Sequence, residues 1–315
     1  MKSTIFSLLI VLLIVPSLIA QDSGSGLDFL NVGPSARLLS IADATAATPV
    51  GASAVYSNPA LLVMESESSV DVNYTSWVAG VENQFAAVNF HRGRYALGFG
   101  VYSSRSDGFE ARERPGESDG DFAVSYLSLA GSFAYRINNL SAGITLQYLR
   151  EEIFELRASG FAVSVGVNAF LFDERVRIGA AVQNAGEMDD LDFESTTLPS
   201  QFRIGTAIDL LEVNTPGRND LPILFSVHAD YITPIEDVTT SDFINRSSTD
   251  FFSLAGRARV ANLFYLQGGY KFGNTERPVS LGAGIILSPI TVNYALVPFT
   301  TGFGTAHSIG IQFYF

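Results

Sequence analysis

Residues 161–171 read Phe161-Ala162-Val163-Ser164-Val165-Gly166-Val167-Asn168-Ala169-Phe170-Leu171. Taken two at a time, Phe161, Val163, Val165, Val167, Ala169 and Leu171 fall on one face, and Ala162, Ser164, Gly166 and Asn168 on the other. Successive side chains of a strand point to opposite faces, so this period of two marks extended chain with two unlike surfaces. The pattern recurs. Val279, Leu281, Ala283, Ile285 and Leu287 alternate with Ser280, Gly282 and Gly284. Phe202, Ile204, Thr206 and Ile208 alternate with Gln201, Arg203, Gly205 and Asp209. In each case the second face is small or polar. A soluble β-sandwich also alternates, so the rest of the chain has to decide between the two.

Working outward from these runs, period-two segments bounded by turn residues number fourteen. They cover 68–76, 83–91, 94–104, 121–136, 140–151, 159–171, 176–184, 201–210, 221–231, 250–260, 263–272, 278–287, 290–299 and 306–315. Many run to about ten residues, the length of a tilted strand crossing a bilayer. Aromatics gather near their ends, at Tyr74, Trp77, Tyr148, Phe251, Phe252, Tyr270, Phe272 and Phe299, as interfacial girdles do. With both termini on the periplasmic side, alternate connections should be short turns. They are 92–93, 137–139, 172–175, 261–262 and 288–289, with 211–220 longer than expected. The opposite set, 77–82, 105–120, 152–158, 185–200, 232–249, 273–277 and 300–305, holds the long loops. A miscount by one strand would scramble this parity. The chain stops on Ile309-Gly310-Ile311-Gln312-Phe313-Tyr314-Phe315, which resembles the C-terminal signature of bacterial outer-membrane barrels. The expected fold is all-β: a closed transmembrane antiparallel barrel of about fourteen strands over residues 68–315.

Composition agrees. Charged residues make up 16% of the chain and aromatics 12%, against about 25% charged in an ordinary globular domain. Mean hydropathy is positive, yet after residue 20 no apolar block is long enough for a spanning helix. Alternation disperses the apolar residues instead. At the N-terminus, Met1-Lys2 precedes an apolar run over 5–15, and Pro16-Ser17-Leu18-Ile19-Ala20 ends on a small residue; this is a secretory leader pattern over 1–20. There is no cysteine, which excludes thiolate metal sites and cysteine nucleophiles. A net charge of −13 argues against nucleic acid as a partner, because phosphate binding needs clustered Lys and Arg.

Residues 21–67 break the strand pattern. They are rich in alanine and poor in charge, too apolar to remain a solvated tail, and suit a compact plug inside the barrel. Two runs here carry a family resemblance. Phe29-Leu30-Asn31-Val32-Gly33-Pro34-Ser35-Ala36-Arg37 is followed by Ala54-Val55-Tyr56-Ser57-Asn58-Pro59-Ala60-Leu61-Leu62. Their order and spacing resemble the PorV/PorQ family, part of the wider FadL-like group of fourteen-stranded barrels. The matching positions are Phe29, Leu30, Gly33, Ala36, Arg37, Asn58, Pro59, Ala60 and Leu62. Family members often continue with a Gly-rich stretch after the arginine; here Leu38-Leu39-Ser40-Ile41-Ala42-Asp43-Ala44 stands instead. The resemblance implies a non-enzymatic outer-membrane component of type IX secretion, with outer-membrane lipid, translocon or attachment components and secreted cargo as partners and no cofactor. The alternative is a FadL-like channel for hydrophobic small molecules.

Candidate chemistry is sparse. Ser226, His228 and Asp230 share a strand face and invite a triad reading, but side chains two apart stand roughly 7 Å apart and parallel, whereas a relay needs about 3 Å. The expected role of Arg177, Arg203, His228, Asp230, Arg257 and Arg259 is polar lining of the lumen, paired with one another or with the plug. An electropositive stripe for an anionic ligand is the sharper reading. The acidic run 187–194 lacks the glycine and spacing of a calcium loop and reads as a solvated outer loop. Asn73-Tyr74-Thr75 matches a glycosylation acceptor, which a bacterial product would not use.

Overall fold

A computed structural model describes residues 27–112, 118, 120–214, 222–235 and 250–315. The expected leader, residues 21–26 of the expected plug segment, and parts of the connections 105–120, 211–220 and 232–249 lie outside the described residues.

Fourteen antiparallel strands close into one barrel. They are β1 (Ser69–Ser76), β2 (Val81–Arg92), β3 (Tyr95–Ala111), β4 (Gly120–Ile137), β5 (Leu140–Ile153), β6 (Leu156–Leu171) and β7 (Val176–Met188). Then follow β8 (Gln201–Asn214), β9 (Pro222–Pro234), β10 (Phe251–Val260), β11 (Phe264–Phe272), β12 (Val279–Leu287), β13 (Ile290–Pro298) and β14 (Thr305–Tyr314). Each strand pairs with its neighbours in sequence. The seam is made by β1 and β14, registered from Ser69 opposite Tyr314 to Ser76 opposite His307. Full closure leaves no unpaired sheet edge, which hydrocarbon would not tolerate.

The faces sort as the alternation predicts. In β6, Phe161, Val163, Val165, Val167 and Leu171 are exposed on the outer wall, and Ala162, Ser164, Gly166 and Asn168 are buried inside. The outer wall is a continuous apolar band, with Val72, Phe99, Leu146, Leu281, Ile309 and Ile311 each at least half exposed. A surface of that extent is unstable in water and stable in lipid.

Structure and expectation part at β3. Its long-loop end runs to Ala111 and β4 begins at Gly120, so part of the expected loop 105–120 is strand. Alternation fails there because the pairing shifts register between Ser106 and Phe109 at a bulge. β8 similarly runs on to Asn214 past a shift between Asp209 and Leu211, which moves 211–214 of the awkward connection 211–220 from the loop set into strand. Of the aromatics expected in interfacial girdles, Trp77 and Phe299 turn inward, where they meet edge to face at 5.4 Å and pack on buried Val32, Ala36 and Leu39. They sit in connections rather than strands, so strand parity does not fix their direction.

Residues 27–67 fill the lumen. They form a short helix α1 (Ala36–Leu39) and 3-10 turns over Asp28–Asn31, Gly51–Tyr56 and Pro59–Val63. With barely four residues, α1 cannot be stable by itself; packing holds it.

Candidate functional site

The site is the interface between plug and inner wall. Both motif runs fold into it. Phe29 stacks on Tyr126 at 5.7 Å and lies 5.0 Å from Tyr102, with Leu30 buried beside it. Gly33 is required by space, since a Cβ there would stand 2.4 Å from an Asp43 carboxylate oxygen. Ala36 donates its backbone N–H to Asn73 Oδ1 at 2.9 Å. Asn73, the nominal glycosylation acceptor, is therefore buried in the lumen. Arg37 donates to Gln312 at 2.9 Å and to Tyr314 at 3.2 Å, and pairs with Glu65 at 3.3 Å.

Asn58 caps the Pro59–Val63 turn: its side-chain oxygen accepts from Ala60 N–H at 3.0 Å, with Pro59 at the first helical position. Its amide donates to the carbonyls of Ala46 and Val167. This turn lies directly on the wall where Gly143 and Gly166 face one another across β5 and β6. A Cβ on Gly166 would meet Asn58 Oδ1 at 1.9 Å, and one on Gly143 would meet Pro59 backbone at 2.5 Å. Ser141 donates to Ala60 O, and Asn89 to Leu62 O.

The lumenal charges divide into two groups. Arg203 on β8, His228 and Asp230 on β9 and Lys271 on β11 are consumed by the plug. Arg203 donates to Asp43 O and to Thr45 at 2.6 Å each and lies 3.6 Å from Asp230, which accepts from Ala46 N–H at 2.7 Å. His228 shares a 2.9 Å hydrogen bond with Thr48. Lys271 hydrogen-bonds and pairs with Asp43, and Arg277 reaches the same carboxylate at 3.9 Å. Burial works to raise the proton affinity of Asp43, but Lys271, Arg277 and Arg203 outweigh it and hold the carboxyl below its usual range. Ser226, His228 and Asp230 do share the inner face, but His228 bonds to Thr48 of the plug and Asp230 to Ala46 and Arg203, not along the row. On β7 and β8, Arg177 pairs with Asp209 at 3.1 Å. Arg257 and Arg259 on β10 belong to neither set: among the described residues neither has an acidic partner.

One inner surface escaped the sequence reading. Above the polar anchors, Phe85, Tyr102, Tyr126, Leu149, Ala158, Ala162 and Met188 form a buried apolar wall around Leu27, Phe29 and Leu30. Phe122, four residues beyond Tyr126 and so on the same inner face of β4, stacks on Phe109 at 5.4 Å and meets Phe154 at 5.6 Å. Large aromatics at inward positions of β2, β3 and β4 were the available signal. The acidic run 187–194 lies at the long-loop end, where Asp190–Leu191 and Glu194–Ser195 pair as a two-stranded hairpin.

No known protein-family profile matches the chain, and no curated protein matches it in sequence. Among solved structures the chain is similar to the toluene transporter TodX of Pseudomonas putida, with TM-score 0.55 and 12% identity over 90% of this chain and 98% of that one. A TodX deletion mutant, described as a monoaromatic hydrocarbon channel, gives TM-score 0.53 and 11% identity over 89% and 97%. A FadL homologue of Pseudomonas aeruginosa gives 0.49 and 12% over 89% and 98%. At such identities the likeness to TodX shows the fold, a closed antiparallel β-barrel. It does not reach the PorV/PorQ resemblance or a type IX role.

Proposed function

We propose that this chain is an outer-membrane channel for small hydrophobic molecules, closed at rest by its N-terminal plug. The observation that carries the reading is the apolar inner wall. A water-filled barrel lines its lumen with polar side chains. Here Phe109 and Phe122 stack at the lip, and farther in Tyr126, Tyr102 and Phe85 form an aromatic track around Phe29. Such a surface favours apolar solutes over ions and sugars. The long loops face outward in this reading, and solute passes when the polar anchors of the plug release. The name of TodX as a toluene transporter suggests a monoaromatic hydrocarbon as the first probe.

The test is uptake of labelled toluene by an outer-membrane-enclosed cell lacking its own channel. Expression of the chain should raise uptake, and F122D with Y126D should return it to the empty-vector level while the barrel still folds. Uptake by the wild-type chain no faster than empty vector would sink the proposal.

A second reading, a PorV/PorQ-like barrel that binds translocon components or cargo in type IX secretion, draws on the motif residues alone. All nine of them fold into the plug or its wall contacts. Co-purification from native outer membrane separates the readings: a secretion component or cargo protein retained on the barrel supports this one, and a barrel that comes out without either removes it.

A further inference from the structure

The lumenal arginines are not equivalent. Arg203 is spent on the plug, Arg177 on Asp209 and Arg37 on Glu65. Subtracting these leaves Arg257 and Arg259, two positions apart on the inner face of β10 and therefore about 7 Å from each other. Both stand toward the short-turn mouth of the barrel, with Arg257 half-buried and Arg259 exposed.

Arg257 is held as if for a ligand. Its Nε donates to Gln267 Oε1 at 2.7 Å, and its guanidinium lies 5.3 Å from the centre of the Tyr265 ring. Those two contacts fix the plane of the fork but leave Nη2 buried without a hydrogen-bond partner. The charges that act on Arg257 include Arg37 and Arg259, both positive, and Glu65, already paired with Arg37. On the adjacent strand β9, His228 is 1% exposed and its Nε2 also lacks a partner; the first charge acting on that ring is Arg257. A buried cation without a counter-charge is costly unless something compensates it. A planar, oriented guanidinium with a free edge matches a carboxylate or phosphate oxygen pair.

We propose that Arg257 and Arg259 form an oxyanion-binding site at the short-turn mouth of the lumen, for the carboxylate or phosphate group of a small molecule. Gln267 connects the site to the plug, since its amide donates to Arg37 O at 3.1 Å and to the Ser40 hydroxyl. The site does not depend on the channel reading, because it is defined by wall residues and tested by binding rather than uptake.

The experiment is calorimetric titration of the full-length barrel, folded in detergent, with inorganic phosphate and separately with benzoate, chloride balancing ionic strength. At least one should bind saturably. Loss of one charge-assisted contact in R257Q or R259Q should weaken it roughly tenfold or more, with R257K intermediate. R175Q, which removes an exposed arginine at the β6–β7 turn of the same mouth, should leave binding unchanged. Preference for benzoate assigns the site to carboxylates, and preference for phosphate to free phosphate. Heat-modified gel migration checks that each variant is folded; should R257Q fail to fold, R259Q, which lies clear of the plug, carries the test. No saturable binding of either anion, or equal weakening by R175Q, overturns the proposal.

Discussion

Asp43 shows how a single plug residue depends on the wall. Its carboxylate faces Lys271 and Arg277, and its carbonyl accepts from Arg203. Removing one partner of a buried pair strands the other, so D43N should destabilise the folded protein by about 3–5 kcal/mol. Adding K271M should restore much of that loss. Urea unfolding in lipid vesicles measures both, and a double variant no more stable than D43N would contradict the account. The pH dependence has a definite sign. Because the folded carboxyl titrates below its ordinary value of 3.8, its contribution is complete above that pH and disappears as pH falls further. Stability should therefore be flat in Asp43 through neutral pH and drop only in strong acid, and D43N should lose that acid limb.

At the scale of elements, the plug is held by caps and close approaches rather than by regular secondary structure. N58A removes the cap of the Pro59–Val63 turn and should cost about 1–2 kcal/mol in the same unfolding assay. Gly166 tests a different property. A valine there cannot coexist with Asn58 at 1.9 Å, so G166V should push the turn off the wall and raise ion conductance in planar bilayers. Conductance indistinguishable from wild type would mean the plug tolerates displacement. These positions also mark how far the sequence could be read. The strands were legible because period two is written locally, residue by residue. The small inner face of 161–171 was visible too, but not that Asn58 fills the space at Gly166, since that contact joins residues more than a hundred apart. Arg203 and Arg257 look alike in sequence, each an arginine at an inward position. Only the path of the plug makes one an anchor and leaves the other free. The bulge after Ser106 was hidden for a related reason, because a register shift belongs to a pair of strands and not to either one.

For the whole molecule, the expectation is a barrel that excludes ions while plugged and admits apolar solutes through an aromatic entry. F29A should leave the barrel folded and increase toluene uptake, because Phe29 stands within the aromatic track. Slower uptake would indicate that Phe29 guides solute rather than blocks it. The seam carries one more consequence. Arg37 donates to both Gln312 and Tyr314, 275 and 277 residues later, while Gln312 and Tyr314 also sit in register with Asp71 and Ser69 across the β1–β14 junction. Strand β14 therefore meets its docking edge and the plug at one place. Breaking the Arg37 contacts should therefore weaken the closure of the cylinder as well as the seating of its contents, and R37A should shift both in one unfolding transition.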